Sequence, residues 1–330
     1  MGLQRRALVA GGAGFLGSHL CARLLGEGWV VTCLDNLQTG RMANIAALFG
    51  DPGFGFVEAD IVEPLPAEVA QGGFDEVWNL ACAASPPAYQ RDPEHTMMTN
   101  VVGTRHLLRL AERTGARFLL TSTSEVYGDP EVHPQPESYR GNVNPIGPRA
   151  CYDEGKRAAE TLTFDFDRQN RATVRVARIF NTYGPRLDPL DGRVVSNMVA
   201  QALDGRALTV YGTGQQTRSF CYVDDMIAGL VALMRFDGPQ PGPVNIGNPV
   251  EVTMIELAQR VTAIMGDPTR LVVHLPLPVD DPQRRRPDIA VAAALLGWSP
   301  QVGLDEGLRA TAAWFAGREM TEAVPLALAV

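Results

Sequence analysis

The sequence predicts an α/β fold, a doubly wound parallel sheet with a smaller, interleaved C-terminal lobe. Three observations carry this. Up to Phe180, short apolar runs of strand character alternate with helical patterns, as in a parallel sheet wrapped by helices. The first such run ends in a glycine-rich turn that opens directly into a helix. From about Asp188 the pattern changes to short helices, brief strands and Gly/Pro turns. The larger unit is expected over residues 1–187 and the lobe over 188–330, with a segment near 219–245 returning to the sheet.

Leu8-Val9-Ala10 reads as the end of a buried strand, followed by Gly11-Gly12-Ala13-Gly14-Phe15-Leu16-Gly17 and a helix from about Ser18 to Gly26. Gly11, Gly14 and Gly17 allow a tight turn, a close approach to pyrophosphate and close packing of helix on sheet. Phe15 and Leu16 lie in the same turn, and a helix N-terminus supplies unpaired amides to phosphates. This is a Rossmann-type dinucleotide fingerprint. The next strand, Val30 to Leu34, ends at Asp35, where an acid accepts from ribose hydroxyls and repels a 2′-phosphate. Arg41 argues the other way, but Asp35 is better placed, with Asn36 beside it, so NAD is expected rather than NADP.

Phe56 to Ala59 is a strand ending at Asp60, an adenine contact or a helix cap, with Ile61 next to it. Val77 to Leu80 opens into Ala81-Cys82-Ala83-Ala84, whose small side chains suit a close cofactor or tight packing alike. Ser85-Pro86-Pro87-Ala88-Tyr89 is expected to be a rigid loop, since neither proline suits a helix interior. Thr99 to Thr114 reads as a helix with Val102, Leu107, Leu108 and Ala111 toward the core.

Arg117 to Thr121 is a strand that delivers Thr121-Ser122-Thr123-Ser124-Glu125 to the carboxyl edge, where ligands of such sheets sit. Thr123 there can donate to a developing oxyanion or orient a hydroxyl, and Glu125 can exchange a proton; a Ser/Thr-rich turn capping the strand is the alternative. A helix from about Cys151 to Gln169 puts Tyr152 and Lys156 four residues apart on one face. A lysine ammonium so close is expected to pull the Tyr152 phenol down from about 10, toward a range where it accepts protons. Thr173 to Phe180 is a strand that brings Asn181 and Tyr183-Gly184-Pro185-Arg186 to the same edge. Phe220 to Val223 is a further strand, and residues 238–243 form a turn-rich surface loop. Arg218 and Arg284-Arg285-Arg286 fall in loops; arginine forks suit phosphate oxygens, and a solvated basic face is an equal reading for Arg284 and Arg286.

A chain of 330 residues with 45% apolar content can bury a full core. Its formal charge of -8 disfavours nucleic acid as a partner. Five cysteines lie without CxxC spacing beside five histidines, so neither a disulfide scaffold nor a metal site is expected, and a reducing compartment is. No apolar run has the length of a membrane helix, which leaves a soluble, cytoplasmic protein without a membrane partner as the expectation.

These motifs resemble the extended short-chain dehydrogenase/reductase family, and within it the UDP-glucuronic acid decarboxylases, from about Ala7 to Phe315. The general elements are the three glycines, Thr123 and Tyr152-x-x-x-Lys156. More specific are Ser85-Pro86-Pro87-x-Tyr89, the stretch from Thr121 to Pro130, Asn144-Pro145-Ile146-Gly147-Pro148-Arg149 running into Cys151-Tyr152-Asp153-Glu154-Gly155-Lys156-Arg157, and Asp191-Gly192-Arg193-Val194-Val195-Ser196-Asn197. The resemblance implies an NAD that stays bound and is regenerated each turnover, with Ala81 and Asn100 among its contacts. It implies conversion of UDP-glucuronate to UDP-xylose and CO2 by C4 oxidation, loss of the C6 carboxylate and C4 re-reduction. Tyr152, Lys156, Thr123 and Glu125 would be catalytic. Asn181, Arg218 and Arg285 would address the substrate or its diphosphate, Val210 and Tyr211 would lie by the uracil, Arg186 would approach the nucleotide sugar, and Pro87, Tyr89, Ser124 and Asn197 would complete that site. A homodimer joined through the helices after Val101 and after Tyr152 is also implied.

Sugar-nucleotide dehydratases resemble this chain but carry Thr-Asp-Glu where it has Thr123-Ser124-Glu125. A serine cannot supply the acid that expels a hydroxyl as water. A 4-epimerase would share the Thr-Tyr-Lys set and release no CO2. A nucleotide-sensing protein would have no chemical need for that set.

Overall fold

The computed structural model describes residues 4–277 and 284–317. Strands β1 (Arg6–Ala10), β2 (Val30–Asp35), β3 (Phe54–Glu58), β4 (Glu76–Asn79), β5 (Arg117–Thr123) and β6 (Val174–Ile179) run through the first part of the chain. Beyond them come β7 (Thr182–Tyr183), β8 (Leu208–Tyr211), β9 (Thr217–Ser219) and β10 (Cys221–Tyr222), after which β11 (Pro243–Ile246) pairs in parallel with β6. The last strands are β12 (Glu251–Thr253), β13 (Val272–Leu275) and β14 (Arg284–Arg285). The main sheet is seven-stranded and parallel, in the order β11-β6-β5-β4-β1-β2-β3. The chain therefore reverses direction across the sheet between β1 and β4, the place where such sheets open a ligand crevice.

Side chains alternate across this sheet, so each strand feeds two cores. Ala7, Val9, Val31, Cys33, Trp78, Leu119 and Ala177 face Leu20 and Leu24 of the helix Phe15–Gly26 and Met226 and Leu230 of the helix Val223–Met234. Leu8, Ala10, Val77, Phe118, Leu120 and Val176 face Leu107, Leu108 and Ala111 on one helix, and Ala159 and Phe166 on the helix Ala150–Arg168. Burying each such leucine, valine or phenylalanine contributes about 1.5–3 kcal/mol. The first core continues into the lobe through Leu208, Leu257 and Phe315.

Several local expectations change. The first helix begins at Phe15 rather than Ser18, with Gly14 as its N-cap. Pro86 and Pro87 do not make a loop: they open the short helix Pro86–Tyr89, because the first turn needs no amide donors. The stretch from Thr99 starts with a π-helical turn, Thr99–Gly103, before the α-helix Thr104–Thr114, and this turn leaves Val102 only half-buried. β5 runs on to Thr123, past the expected end at Thr121, while the strand expected at Phe220–Val223 is the two-residue β10 alongside β7.

Candidate active site

One cleft runs along the carboxyl ends of the main-sheet strands. Its lining includes Gly11, Gly14, Phe15, Leu16 and Gly17 after β1, Asp35 and Asn36 after β2, Asp60 and Ile61 after β3, Ala81 after β4, Thr123, Ser124 and Glu125 at β5, and Asn181 and Arg186 after β6. Tyr152 and Lys156 enter it from the helix Ala150–Arg168.

At one end the geometry fits a dinucleotide. Gly11 has φ +77°, and a Cβ there would lie 2.7 Å from the Leu80 carbonyl carbon. A Cβ on Gly17 would lie 2.0 Å from the Gly11 oxygen. These two glycines let β1, β4 and the helix meet at the crevice. No side chain caps the helix at Gly14, so its first amides are left for an anion. Arg186, held at φ +66°, has a buried Nη1 with no hydrogen-bond partner among the described residues. The carbonyl of the adjacent Pro185 lies 2.9 Å from His19 Nε2 of the first helix, which puts this turn on the dinucleotide side of the cleft rather than at the nucleotide-sugar end expected for Arg186. An orphaned guanidinium beside an uncapped helix start suits a diphosphate.

Asp35 sits where the ribose acid was expected. Its carboxylate accepts from the amides of Ala13 (2.9 Å) and Leu37 (2.8 Å), and burial pushes it upward. Asp60 is not a helix cap: one oxygen accepts from the Val62 amide at 2.8 Å, and the other lies 2.7 Å from both Asn36 Nδ2 and His95 Nε2. Although burial opposes its charge, the Val62 amide, Asn36 and His95 together hold it below the ordinary carboxylate range. His95 lines the cleft but carried no sequence signal. Arg41, the argument for a 2′-phosphate, pairs with Asp188. Asn100 does not line the cleft: it is buried, and its Nδ2 donates to Cys82 Sγ (3.2 Å) and to the Thr96 carbonyl (3.0 Å).

The reacting end joins Thr123, Tyr152 and Lys156. Lys156 Nζ donates to the Thr121 carbonyl at 2.9 Å and lies 5.8 Å from the centre of the Tyr152 ring. The Tyr89 ring stacks on Tyr152, with centroids 5.0 Å apart and planes 4° from parallel. The expected lowering of the Tyr152 phenol is overturned: burial pushes it well up, and a neighbouring Cys82 adds to this, while the hydrogen bond with Thr123 opposes it. Burial also disfavours the charge of Lys156, whose ammonium is anchored on the Thr121 carbonyl.

Glu125 takes a form its sequence did not foretell. Arg285 from the lobe forks onto both its oxygens, one contact being 2.8 Å, and Arg149 Nη2 adds a bond of 2.5 Å. Burial opposes its charge, yet Arg285 and then Arg149 hold the carboxyl down at about 2. Glu125 is therefore a fixed carboxylate and not a proton donor at neutral pH. Arg285, expected at the substrate or its diphosphate, is committed to this pair. Nearby Asp153 is pushed up to about 7, first by burial and then by the Glu125 charge, and its Oδ1 has no hydrogen-bond partner among the described residues.

The remaining substrate positions divide. Ser124, Glu125, Asn181 and Arg186 line the cleft, whereas Pro87, Tyr89, Asn197, Val210, Tyr211, Arg218 and Arg285 do not. Tyr89 lies behind Tyr152, 1% exposed. Val210, also 1% exposed, belongs to the core of the lobe, so its side chain is not a wall for a base. Asn197 Nδ2 bonds the Gly192 carbonyl at 2.9 Å, Pro87 packs beside Gly192, and Arg218 is paired in register with Arg285 across β9 and β14. Arg193 lines the cleft and donates to Asp191 at 3.2 Å; its motif was noted, but Asn197 rather than Arg193 was singled out.

A family profile described as the NAD dependent epimerase/dehydratase family matches residues 7–247. UDP-glucuronic acid decarboxylase 6 of Arabidopsis thaliana is 56% identical over 304 residues, covering 92% of this chain and 86% of that protein. UDP-glucuronic acid decarboxylase 1 of Danio rerio is 53% identical over 312 residues, covering 94% and 73%. Among solved structures, the UDP-glucuronic acid 4-epimerase of Bacillus cereus, in complex with UDP-glucuronic acid and NAD, superposes with a TM-score of 0.84 at 28% identity, covering 94% of this chain and 99% of that one.

Proposed function

From the premise that this chain belongs to the NAD dependent epimerase/dehydratase family and, within it, to the UDP-glucuronic acid decarboxylases, we propose how its cleft works. The chain is an NAD-dependent decarboxylase that converts UDP-glucuronate to UDP-xylose and CO2. One observation carries the assignment of roles: Thr123 and Tyr152 converge in the cleft beside a Glu125 that two arginines keep ionised, with Ser124 where a dehydratase would need an acid.

Gly11, Gly17, the uncapped helix start, Arg186 and Asp35 hold the dinucleotide. Bound in its oxidised form, NAD supplies the acceptor for the C4 hydride, later its donor, and a positive charge that favours the Tyr152 phenolate. Tyr152 Oη takes the C4 hydroxyl proton, and Lys156 orients the cofactor side of the site from its anchor on Thr121. A ketone at C4 stands β to the C6 carboxylate, so the electron pair of the C5–C6 bond can move into the carbonyl as CO2 departs. Thr123 Oγ1 and the reprotonated Tyr152 Oη donate to the enolate oxygen that forms. A solvent proton then adds to C5, hydride returns to C4, and Tyr152 Oη gives its proton back to the C4 oxygen, which restores the alcohol. Of the roles open to Glu125, its ionised state supports holding the sugar rather than delivering the C5 proton.

Our reading includes a homodimer and a cytoplasmic location. The resemblance supports the first through the helices Thr104–Thr114 and Ala150–Arg168, and the unpaired cysteine spacing supports the second. Light scattering and fractionation test them. The reaction itself is tested by incubating the purified protein with UDP-glucuronate, following nucleotide-sugar mass and trapped CO2 with and without added NAD. Loss of one CO2 per sugar without net cofactor reduction is expected. An unchanged mass with inverted C4 would instead make it an epimerase.

A further inference from the structure

A buried polar bridge, set back from the cleft, joins the elements that carry Glu125 and Arg285. Glu125 lies in the one-turn helix Ser124–Tyr127 and Arg285 on β14. Between them stand Tyr127, Gln135 and Asn245, respectively 1%, 0% and 0% exposed. Tyr127 Oη donates to Asn245 Oδ1 at 2.8 Å. Asn245 Nδ2 donates to the carbonyls of Gln135 (2.9 Å) and Asp288 (3.1 Å). Gln135 in turn grips the chain just after Arg285: its amide donates to the Arg286 carbonyl at 2.9 Å, its carbonyl accepts from the Asp288 amide at 3.0 Å, and its Oε1 accepts from the Arg286 amide at 2.8 Å.

On its other edge β14 is held in register by β9. The Arg285 segment is thus fixed from both sides, and a slip by one residue would turn its guanidinium away from Glu125. Apolar packing could cover this segment without choosing its register, whereas a fully satisfied polar network specifies a single arrangement. We infer that Gln135 and Asn245 are positioning residues for the reaction, registering the Arg285 segment on the sheet edge so that its guanidinium meets Glu125. This rests on the reading that the Glu125–Arg285 pair serves the sugar end of a decarboxylase cleft.

The test is a double-mutant cycle on the NAD-loaded protein with Gln135→Met and Glu125→Gln. Misplacing a reacting geometry by about an ångström can cost roughly 100-fold, so Gln135→Met is expected to lower kcat by about 10- to 100-fold with little change in KM. In the Glu125→Gln background the same substitution should change kcat little further. Additive losses, or an unchanged kcat with only a lower Tm, would overturn the inference. Tyr127→Phe keeps the ring and removes one bridge hydroxyl; it should give the same non-additive pattern at smaller size, and it decides the matter if Gln135→Met does not fold. A wild-type protein that releases no CO2 would sink the reaction reading alone. The bridge is then judged by whether the two substitutions are non-additive in their urea midpoints.

Discussion

Replacing Glu125 by glutamine should cost stability in a pH-dependent way that exposes the arginine clamp. In the folded protein Arg285 and Arg149 hold this carboxyl at about 2 against an ordinary 4.5. At about 1.36 kcal/mol per pH unit, that difference is on the order of 3 kcal/mol in favour of the folded state. The side chain is only 15% exposed, so solvent screening takes little from it. The sign follows from a depressed folded pKa: the contribution is complete above about 4.5 and is lost as the pH falls toward 2. Glu125→Gln also leaves the Arg285 guanidinium, 5% exposed, without its carboxylate, and breaking a buried pair costs roughly 3–5 kcal/mol. Urea unfolding at pH 7 should therefore show a loss of unfolding free energy of that size, read as a lower midpoint at constant slope, shrinking progressively from pH 5 to pH 3, about the lower working limit of the assay. Turnover of UDP-glucuronate should fall with it. A stability gap that is the same at both pH values, or full turnover by the variant, would refute the clamp.

Tyr152→Phe should lower CO2 release by about 100- to 10,000-fold, the span expected for one acid–base group, while cofactor retention after gel filtration stays intact. Gly17→Ala should strip the cofactor, because its new methyl would stand 2.0 Å from the Gly11 oxygen; the dinucleotide released on denaturing the purified protein measures this.

What the sequence made legible was local. The glycine turn could be read because strand, turn and helix are contiguous and each glycine answers a steric demand of the next few residues. Tyr152 and Lys156 could be paired because helical spacing alone puts them on one face. The electrostatics were not legible, since burial is a tertiary quantity: nothing near Tyr152 in sequence announces the Tyr89 ring stacked on it or the carbonyl that occupies Lys156. Glu125 looked free to exchange protons because its partners come from Arg149 and, across 160 positions, Arg285. Val210 is expected by the uracil, whereas a four-residue strand buries its side chain, and Pro86 and Pro87 read as a loop because their place at the first turn of a helix depends on where that helix begins.

The late arrival of β11 has a consequence for how the protein comes into being. β6 ends at Ile179, but the neighbour that completes its edge is Pro243–Ile246, and the Phe180 amide waits for the Ile246 carbonyl. On the ribosome the nucleotide-binding half thus emerges with an open sheet margin that stays open while the intervening segment is made. An unpaired margin of this kind invites pairing with another nascent chain. Shielding by a chaperone, or rapid translation through this segment, is therefore worth more to this enzyme than to one whose sheet closes in the order in which it is synthesised.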